Sequence, residues 1–486
     1  MLVKTVQFKR NGKTNERLVL ARSEKNSGNF FTIINGENGT GKSALLRIIS
    51  DGTLGLEASR QSKMYASDVS VERIGDVSRT IALSGTHNDR FPVNTGVELR
   101  MNSSRFDLME FHYFGPKQSG YLASAARAAN SIAHSLLTEE THSDAGNQNA
   151  ASLLNYLGFR SALRLGFSLN AKKVRKDYYN FLGALQEHIR NVAIELPSSS
   201  KLSPTIPLSV QSAQRVLEDR HLRSLASKRD ALSVTIDLLA GRRFSSTSRS
   251  LIDFIGTEPT IPPSQWLADL IALGVLNATL AVEIDGESSE IRDLGDLSSG
   301  QWHLINILLN LSLVVKDDTL VLIDEPENSL HPKWQSDFIG LVRRLISHRR
   351  GCHVIVATHS PLIAASLLPN EGELIGFKKT ELGNAIEVER EGIAYGWLPS
   401  DVLTDVFDMN SSRPPELSKA VNKALELLKL DKTSTKELRG IARNVQVLRR
   451  SLPPHDPLIP ILNAIESIAF PLPEAGSDKK ATDPAR

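Results

Sequence analysis

One octapeptide constrains the fold of this chain more than any other feature. The segment 36–43 reads GENGTGKS and fits the pattern G-x-x-x-x-G-K-[ST] at every fixed position. Apolar runs at 30–34 and 44–49 flank it, so a strand, a glycine-rich turn and a helix are predicted in that order. Glycines let the backbone curl so that successive N–H groups face phosphate oxygens, and the helix N-terminus adds positive potential. The pattern therefore predicts a site for nucleotide phosphates, with Lys42 on the β- and γ-phosphates and the Ser43 hydroxyl on Mg²⁺.

Composition narrows the class of protein but not its function. The 486 residues allow two or three domains, and a formal net charge of +2 leaves any contact with nucleic acid to local basic patches. The single cysteine, Cys352, excludes a disulfide within the chain and is most simply a small apolar residue. The N-terminal residues lack a signal-peptide pattern, and no apolar stretch has the roughly 20 residues that span a membrane. These features predict a cytoplasmic protein without membrane contact.

A second strand ends in two acidic residues. The apolar run 320–323 predicts a buried strand, and Asp324 and Glu325 follow at its carboxyl end, where open α/β sheets bind ligands. Adjacent carboxylates repel each other unless a cation is present. We therefore expect Asp324 to hold Mg²⁺ and Glu325 to take a proton from the attacking water.

Two weaker motifs accompany the acids. The segment 297–301 precedes an apolar helix and is either a simple helix cap or a second anion site for a γ-phosphate. His359 ends the next predicted strand, 354–357, and is either structural or a group that polarises the γ-phosphate or orients the water. Its position one strand after the acids favours the catalytic interpretation.

The order of these motifs resembles the ABC-type ATPase heads of the SMC, RecF and OLD group. The segments 325–332 (EPENSLHP) and 357–361 (ATHSP) are most similar to the prokaryotic OLD-like branch. The resemblance implies an α/β fold, a mixed sheet with helices, in which two heads close over two ATP molecules. It further implies that Ser298, Ser299, Gly300 and Gln301 contact the nucleotide held by a partner copy, although Ser299 replaces the first glycine of the usual signature. Gln118 is the nearest candidate for the Q-loop glutamine. The residues expected to bind ATP in the first copy are Gly36, Glu37, Asn38, Gly39, Thr40, Gly41, Lys42 and Ser43.

Softer motifs narrow the resemblance to the PtuA ATPases of Septu and PtuA-bearing retron anti-phage systems. Three parts of the chain carry this narrower resemblance. They are the segment 81–84 running into 89–92, the segment 112–115, and the segment 401–407 followed by 408–413. Only about 125 residues follow the Thr-His-Ser segment, and their pattern is helical, so no Toprim nuclease of the OLD type is expected. The resemblance implies a slow ATPase that forms ATP-sandwiched dimers and controls a separate HNH-type nuclease, PtuB-like. AriA-like ATPases of the PARIS system work instead with a separate Toprim protein.

The predicted organisation places one ATPase head around an insertion. We expect an N-terminal lobe at 1–115, a helical insertion at 116–276 and a C-terminal lobe at 277–392. A helical partner-docking region is expected at 393–472 and a disordered tail at 473–486. Within the insertion, helices are expected at 123–137, 174–196 and 210–239.

Basic residues leave several alternatives open. One cluster lies in the insertion at 160–176 beside Tyr178 and Tyr179, and a second lies on the C-terminal helices. Both are consistent with solvated helix faces, with DNA or RNA contact, or, for the C-terminal set, with a docking surface for a partner protein. Rival functions are a RecF- or SMC-like DNA-repair head, a transporter ATPase and a non-catalytic nucleotide-sensing scaffold.

Overall fold

The computed structural model describes most of the two predicted lobes and part of the remainder. The described residues are 1–10, 14–22, 28–53, 66–91, 111–116, 124–138, 144–169, 252–255, 268, 271–272, 276–285, 290–379, 386–391, 394–397, 399–402, 413, 415–430, 436–450, 452–453 and 455–470. Contacts divide the chain into two units, 1–402 and 403–486.

The first unit is built on a seven-stranded mixed sheet. Its strands are β3 (Phe30–Gly36), β5 (Arg79–Ser84), β6 (Phe111–Phe114), β11 (Thr319–Asp324), β12 (His353–Thr358), β13 (Gly372–Lys379) and β14 (Ile386–Glu391). Their order across the sheet is β14-β13-β3-β12-β11-β5-β6. Neighbouring strands are parallel throughout except for the antiparallel pair β13 and β14. Three of the central strands are buried along their whole length, which agrees with their continuous apolar sequences. The predicted mixed α/β sheet is confirmed.

Strand register brings the predicted motifs to one edge of this sheet. Asp324 on β11 is opposite Ala357 on β12 and Ser84 on β5. Thr358, at the end of β12, is opposite Asn35 on β3, immediately before the glycine-rich turn. Since parallel strands end at the same edge, the turn, the acids and His359 become neighbours.

A three-stranded antiparallel sheet covers the helix that follows the turn. This sheet has the order β2-β1-β4, with β1 at Leu2–Arg10, β2 at Thr14–Val19 and β4 at Ala66–Ile74. Helix α1 (Lys42–Thr53) buries Leu46 and Ile49 in a core shared with Val6 of β1 and Leu322 of β11. The burial of these side chains is the main force that fixes α1, and with it the turn, on the sheet.

The interval 116–276 is not purely helical, which corrects part of the expectation. Its described residues include the helices α2 (Ala125–Leu137), where a helix was predicted, and α3 (Asp144–Tyr156). They are followed by β7 (Phe159–Leu169) and β8 (Ile252–Ile255), which join β9 (Leu276–Ile284) and β10 (Ile291–Asp293) in a sheet of order β10-β9-β7-β8. Leu163, Leu165 and Phe167 alternate along β7 and are buried, the period-two pattern of a strand. The predicted helices at 174–196 and 210–239 lie outside the described residues.

The remaining helices of the first unit flank the large sheet. A 3₁₀ turn at Leu294–Asp296 leads into α4 (Ser299–Val314), a helix that is buried over nearly its whole length. The others are α5 (Pro332–Leu345), the short α6 (Pro361–Ala364) and the short α7 (Pro399–Asp401). No helix within the described ranges combines the length and apolarity needed to cross a membrane.

The described residues of the second unit form three helices with a core of their own. They are α8 (Pro415–Lys429), α9 (Lys436–Arg449) and α10 (Ile459–Ala469), and their shared core includes Leu438 and Leu462. Arg413 makes two hydrogen bonds to the Asp456 carboxylate, at 3.0 and 2.7 Å. The helical character predicted after residue 393 is present, but residues 394–402 belong to the first unit. The predicted tail at 473–486 lies outside the described residues.

Candidate nucleotide-binding site

The glycine-rich turn has backbone positions that side chains rarely tolerate. Gly39 and Gly41 have φ angles of +79° and +89°, in the left-handed region that favours glycine. Gly36 lies so close to β13 that an added Cβ would be 2.4 Å from the carbonyl oxygen of Phe377. The turn ends where α1 begins at Lys42, and Leu45 N donates to Gly41 O at 2.9 Å. The predicted strand, turn and helix are all present.

Lys42 is a buried cation held inside this turn. Its residue is 4% exposed, and Nζ donates to the carbonyl oxygens of Gly36 at 2.8 Å and Glu37 at 3.0 Å. Nζ also lies 3.3 Å from Nδ1 of His359. A buried ammonium beside a helix N-terminus attracts phosphate oxygens, because both carry positive potential.

Ser43 and Asp324 form a pair suited to a divalent cation. Ser43 Oγ donates to Asp324 Oδ1 at 3.0 Å, across 281 positions of sequence. Asp324 is 1% exposed, and its Oδ2 has no hydrogen-bond partner in the described part of the chain. Burial raises the pKa of Asp324 to about 7, an effect that the Ser43 hydroxyl opposes and the neighbouring Glu325 charge reinforces.

This donor set fits Mg²⁺, which binds oxygen ligands and takes only one or two carboxylates when phosphates supply the rest. The orphaned Oδ2 of Asp324 is the observation that supports the fit, because a buried carboxylate oxygen without a donor is costly unless a cation is near. Within the described ranges, no group of three or more His, Cys, Asp or Glu side chains converges on one metal position.

Glu325 lies between two hydrogen-bonding neighbours. Its Oε1 is 3.4 Å from His359 Nε2, and its Oε2 accepts a hydrogen bond from Asn328 Nδ2 at 3.1 Å. The His359 imidazole and then the Asn328 amide hold the pKa of Glu325 below its usual value, although partial burial acts in the opposite direction. Glu325 is therefore ionised at neutral pH and able to accept a proton.

The two contacts of His359 define its protonation. An ammonium can only donate, so the Nδ1 that faces Lys42 acts as an acceptor and carries no proton. The proton of a neutral ring then lies on Nε2, which faces the Glu325 carboxylate. His359 thus lies between Lys42 and the candidate base Glu325.

Lys42, Ser43, Glu325 and His359 line a cavity of about 690 Å³, a volume in the range of small-molecule sites, whereas the buried Asp324 is not part of its lining. The sequence interpretation did not include several of its other residues: Phe8, Glu16, Arg17, Leu18, Thr86, Asn88, Arg90 and Phe377. Thr86 and Asn88 follow the carboxyl end of β5, so they could have been found once β5 was placed beside β11. Gln118, the Q-loop candidate, lies outside the described residues.

The segment 298–301 forms the N-terminus of α4. Ser298 is its N-cap and makes a capping box with Gln301, so the segment does act as a helix cap. Ser298 and Ser299 are exposed, whereas Gly300 packs so tightly that an added Cβ would be 2.4 Å from Ser329 O. All four residues are described, and none lines the cavity of their own copy.

The basic cluster predicted in the insertion is only partly described. Arg160 and Arg164 both bind the buried carboxylate of Glu283, at 2.6 and 3.1 Å. These two arginines thus have a structural partner on the adjacent strand β9. The rest of that cluster, at 172–176, lies outside the described residues.

A glycine-rich turn, a Ser–Asp pair with a buried carboxylate and a Glu–His pair at one edge of a mostly parallel sheet define a P-loop ATPase site. The family model described as "AAA domain, putative AbiEii toxin, Type IV TA system" matches residues 65–365, more than half of the chain. The chain therefore belongs to this AAA family.

The chain is also similar to parts of known proteins. The chain is 30% identical over 105 residues to the Septu protein PtuA of Bacillus thuringiensis, a match that covers 21% of this chain and 25% of PtuA. It is 34% identical over 123 residues to the phosphonates import ATP-binding protein PhnC 1 of Rhodopseudomonas palustris, covering 25% and 39%. One solved structure that aligns with the chain is the Smc head domain of Pyrococcus furiosus bound to the C-terminal domain of ScpA. The alignment covers 80% of this chain and 96% of the Smc chain, with 12% sequence identity and a TM-score of 0.32. The chain thus spans about a quarter of PtuA, and the predicted resemblance to PtuA is confirmed.

Proposed function

We propose that this chain binds ATP with Mg²⁺ in the cavity at the glycine-rich turn and hydrolyses it. One observation carries the proposal: Lys42, Ser43, Asp324, Glu325 and His359, from distant parts of the sequence, converge at one sheet edge. Each of these groups has a chemical task in phosphoryl transfer, and the family and the relatives named as ATP-binding proteins support the same reaction.

The tasks follow from the contacts. Lys42 and the N–H groups of the turn bind the phosphates, and Ser43 with Asp324 holds Mg²⁺, which neutralises charge on the β- and γ-phosphate oxygens when bound. Glu325 accepts a proton from water as the water oxygen bonds to the γ-phosphorus. The bond from that phosphorus to the bridging oxygen then breaks, and ADP leaves. His359 orients the Glu325 carboxylate and, through Nδ1, faces Lys42.

Two copies of the chain are proposed to close over ATP. Residues 298–301 cap a helix N-terminus, expose the Ser298 and Ser299 side chains and stay outside the cavity of their own copy. They are therefore free to contact a nucleotide held by another copy, as the resemblance to ABC-type heads implies. A closed pair forms only when the γ-phosphate is present, since that group provides the bridge.

The cellular role is proposed by resemblance to PtuA. We infer an anti-phage ATPase whose nucleotide state controls a separate nuclease, with the HNH type as the first candidate. The second unit, a three-helix body with its own core, is the proposed docking region for that partner. Co-purification with the product of the adjacent gene tests this role. A Toprim protein recovered instead would indicate the AriA-like arrangement, and tight DNA binding without a partner would indicate a repair head.

Two variants test the ATPase proposal. Lys42→Ala is expected to abolish nucleotide binding in a fluorescent-ATP titration, because it removes the buried cation of the turn. Glu325→Gln is expected to bind ATP normally but to release phosphate at least about 100-fold more slowly, because the amide cannot take the proton. Undiminished ATP affinity in the first variant, or normal phosphate release in the second, would remove the corresponding role.

A further inference from the structure

The candidate base has a second fixed neighbour besides His359. Asn328 lies three residues beyond Glu325, in the loop between β11 and α5, and donates to Oε2 at 3.1 Å while His359 faces Oε1. An amide that donates to a carboxylate restricts rotation of the carboxylate plane. The phosphate and metal contacts of the proposed reaction do not require Asn328.

Several hydrogen bonds fix the loop that carries Asn328, so the fold determines the position of the Asn328 amide. Asn328 N donates to Glu325 O at 3.4 Å and Leu330 N donates to Glu327 O at 3.0 Å. Ser329 has a φ angle of +65°, unusual for a residue other than glycine, and its carbonyl packs against Gly300 of α4. Gln335 of α5 donates to Leu330 O at 3.0 Å. A strained residue held by its surroundings on both sides is a common feature of functional loops.

The same loop also fixes His359, the other neighbour of the base. Glu327 Oε1 accepts the backbone N–H of His359 at 2.5 Å, which connects the loop to the end of β12. Glu325 N in turn donates to Ala357 O at 2.9 Å. Hydrogen bonds therefore connect the loop to His359 and the backbone of Glu325 to the end of β12. The Asn328 amide adds a contact from the same loop to the Glu325 carboxylate.

We propose that Asn328 is a positioning residue that holds the Glu325 carboxylate in the orientation needed to take a proton from the attacking water. The inference rests on the proposed function, because it assumes that Glu325 is the base. Misplacement of a reacting group by about 1 Å costs up to about 100-fold in rate. We therefore expect loss of the amide donor to lower kcat by about 10- to 100-fold.

The test compares two variants of the full-length protein. Asn328→Ala removes the side chain, and Asn328→Asp keeps its shape but replaces the donor with a second carboxylate. Single-turnover and steady-state assays with radiolabelled ATP are expected to show a lower kcat in both variants, with the KM for ATP within about two-fold of the wild-type value. Asn328→Asp is expected to be at least as slow as Asn328→Ala, because its charge repels Glu325. Asn155→Ala, which alters an exposed amide on α3, is the matched control and should leave kcat unchanged.

A double-mutant cycle separates positioning from a merely structural role. A residue that acts only through Glu325 has nothing to position once the base is removed, so Asn328→Ala should cause no further loss in the Glu325→Gln background. A further loss of ten-fold or more there, or wild-type kcat in Asn328→Asp, would overturn the inference. Normal turnover in Glu325→Gln alone would instead overturn the proposed function, so the two failures are distinguishable.

Discussion

Replacing Asp324 by asparagine should stabilise the nucleotide-free protein, although it should abolish Mg²⁺-dependent activity. Burial moves the pKa of this carboxyl from 3.8 to about 7, so the folded protein binds its proton more tightly than the unfolded chain does. The stability that the protonated group contributes is complete below pH 4 and is lost as the pH rises towards 7. Above pH 7 the folded state carries a buried charge with an unpartnered oxygen.

The magnitude follows from the size of the shift. One pKa unit corresponds to about 1.4 kcal/mol, so the stability lost relative to acid pH is about 2 kcal/mol at pH 5 and about 4 kcal/mol at pH 8. Asparagine has no such charge, so its stabilising effect should grow by about 2 to 3 kcal/mol between these pH values. For a unit of 402 residues this growth corresponds to about 3 °C in melting temperature.

The assay is a thermal melt of wild type and Asp324→Asn at pH 5, 6, 7 and 8, with a chelator and without nucleotide. The variant should gain over wild type as the pH rises, and added Mg²⁺ and ATP should reverse the order by stabilising wild type alone. Asp285→Asn, which removes an exposed carboxylate, is the matched control for the loss of one charge. A pH-independent difference for Asp324→Asn, or a gain confined to low pH, would refute the reasoning.

Two further predictions concern packing. Gly300→Ala places a methyl group 2.4 Å from Ser329 O, so the start of α4 must shift. When combined with Glu325→Gln, this variant should weaken ATP-dependent dimer formation at least about ten-fold, as measured by light scattering. Unchanged dimerisation would contradict the proposed role of residues 298–301. Leu462→Ala in α10 removes a side chain that is 0% exposed and should destabilise the second unit by about 2–5 kcal/mol, measured by hydrogen exchange of α8–α10. Ile461→Ala, at a neighbour that is 41% exposed, should change protection by less than about 0.5 kcal/mol.

Motifs with a local physical cause were predictable from the sequence. The turn at 36–43 needs glycines where the backbone has positive φ or meets a neighbouring strand, so its pattern is visible without any tertiary information. The strand before Asp324 is an apolar run because the sheet buries it on both faces. Strand β7 was missed because the alternation of Leu163, Leu165 and Phe167 indicates a strand only when a partner such as β9 is available to pair with it.

The sequence by itself thus determined which groups can bind phosphate, hold a cation and take a proton, since those are properties of residue types in short segments. Only the tertiary structure decided that Asn328 faces Glu325 and that Arg160 and Arg164 bind Glu283. It also decided that one oxygen of Asp324 has no partner among the residues that the structure describes. Strand order and register are the physical reason. They bring together side chains whose distance in sequence carries no information about their distance in space.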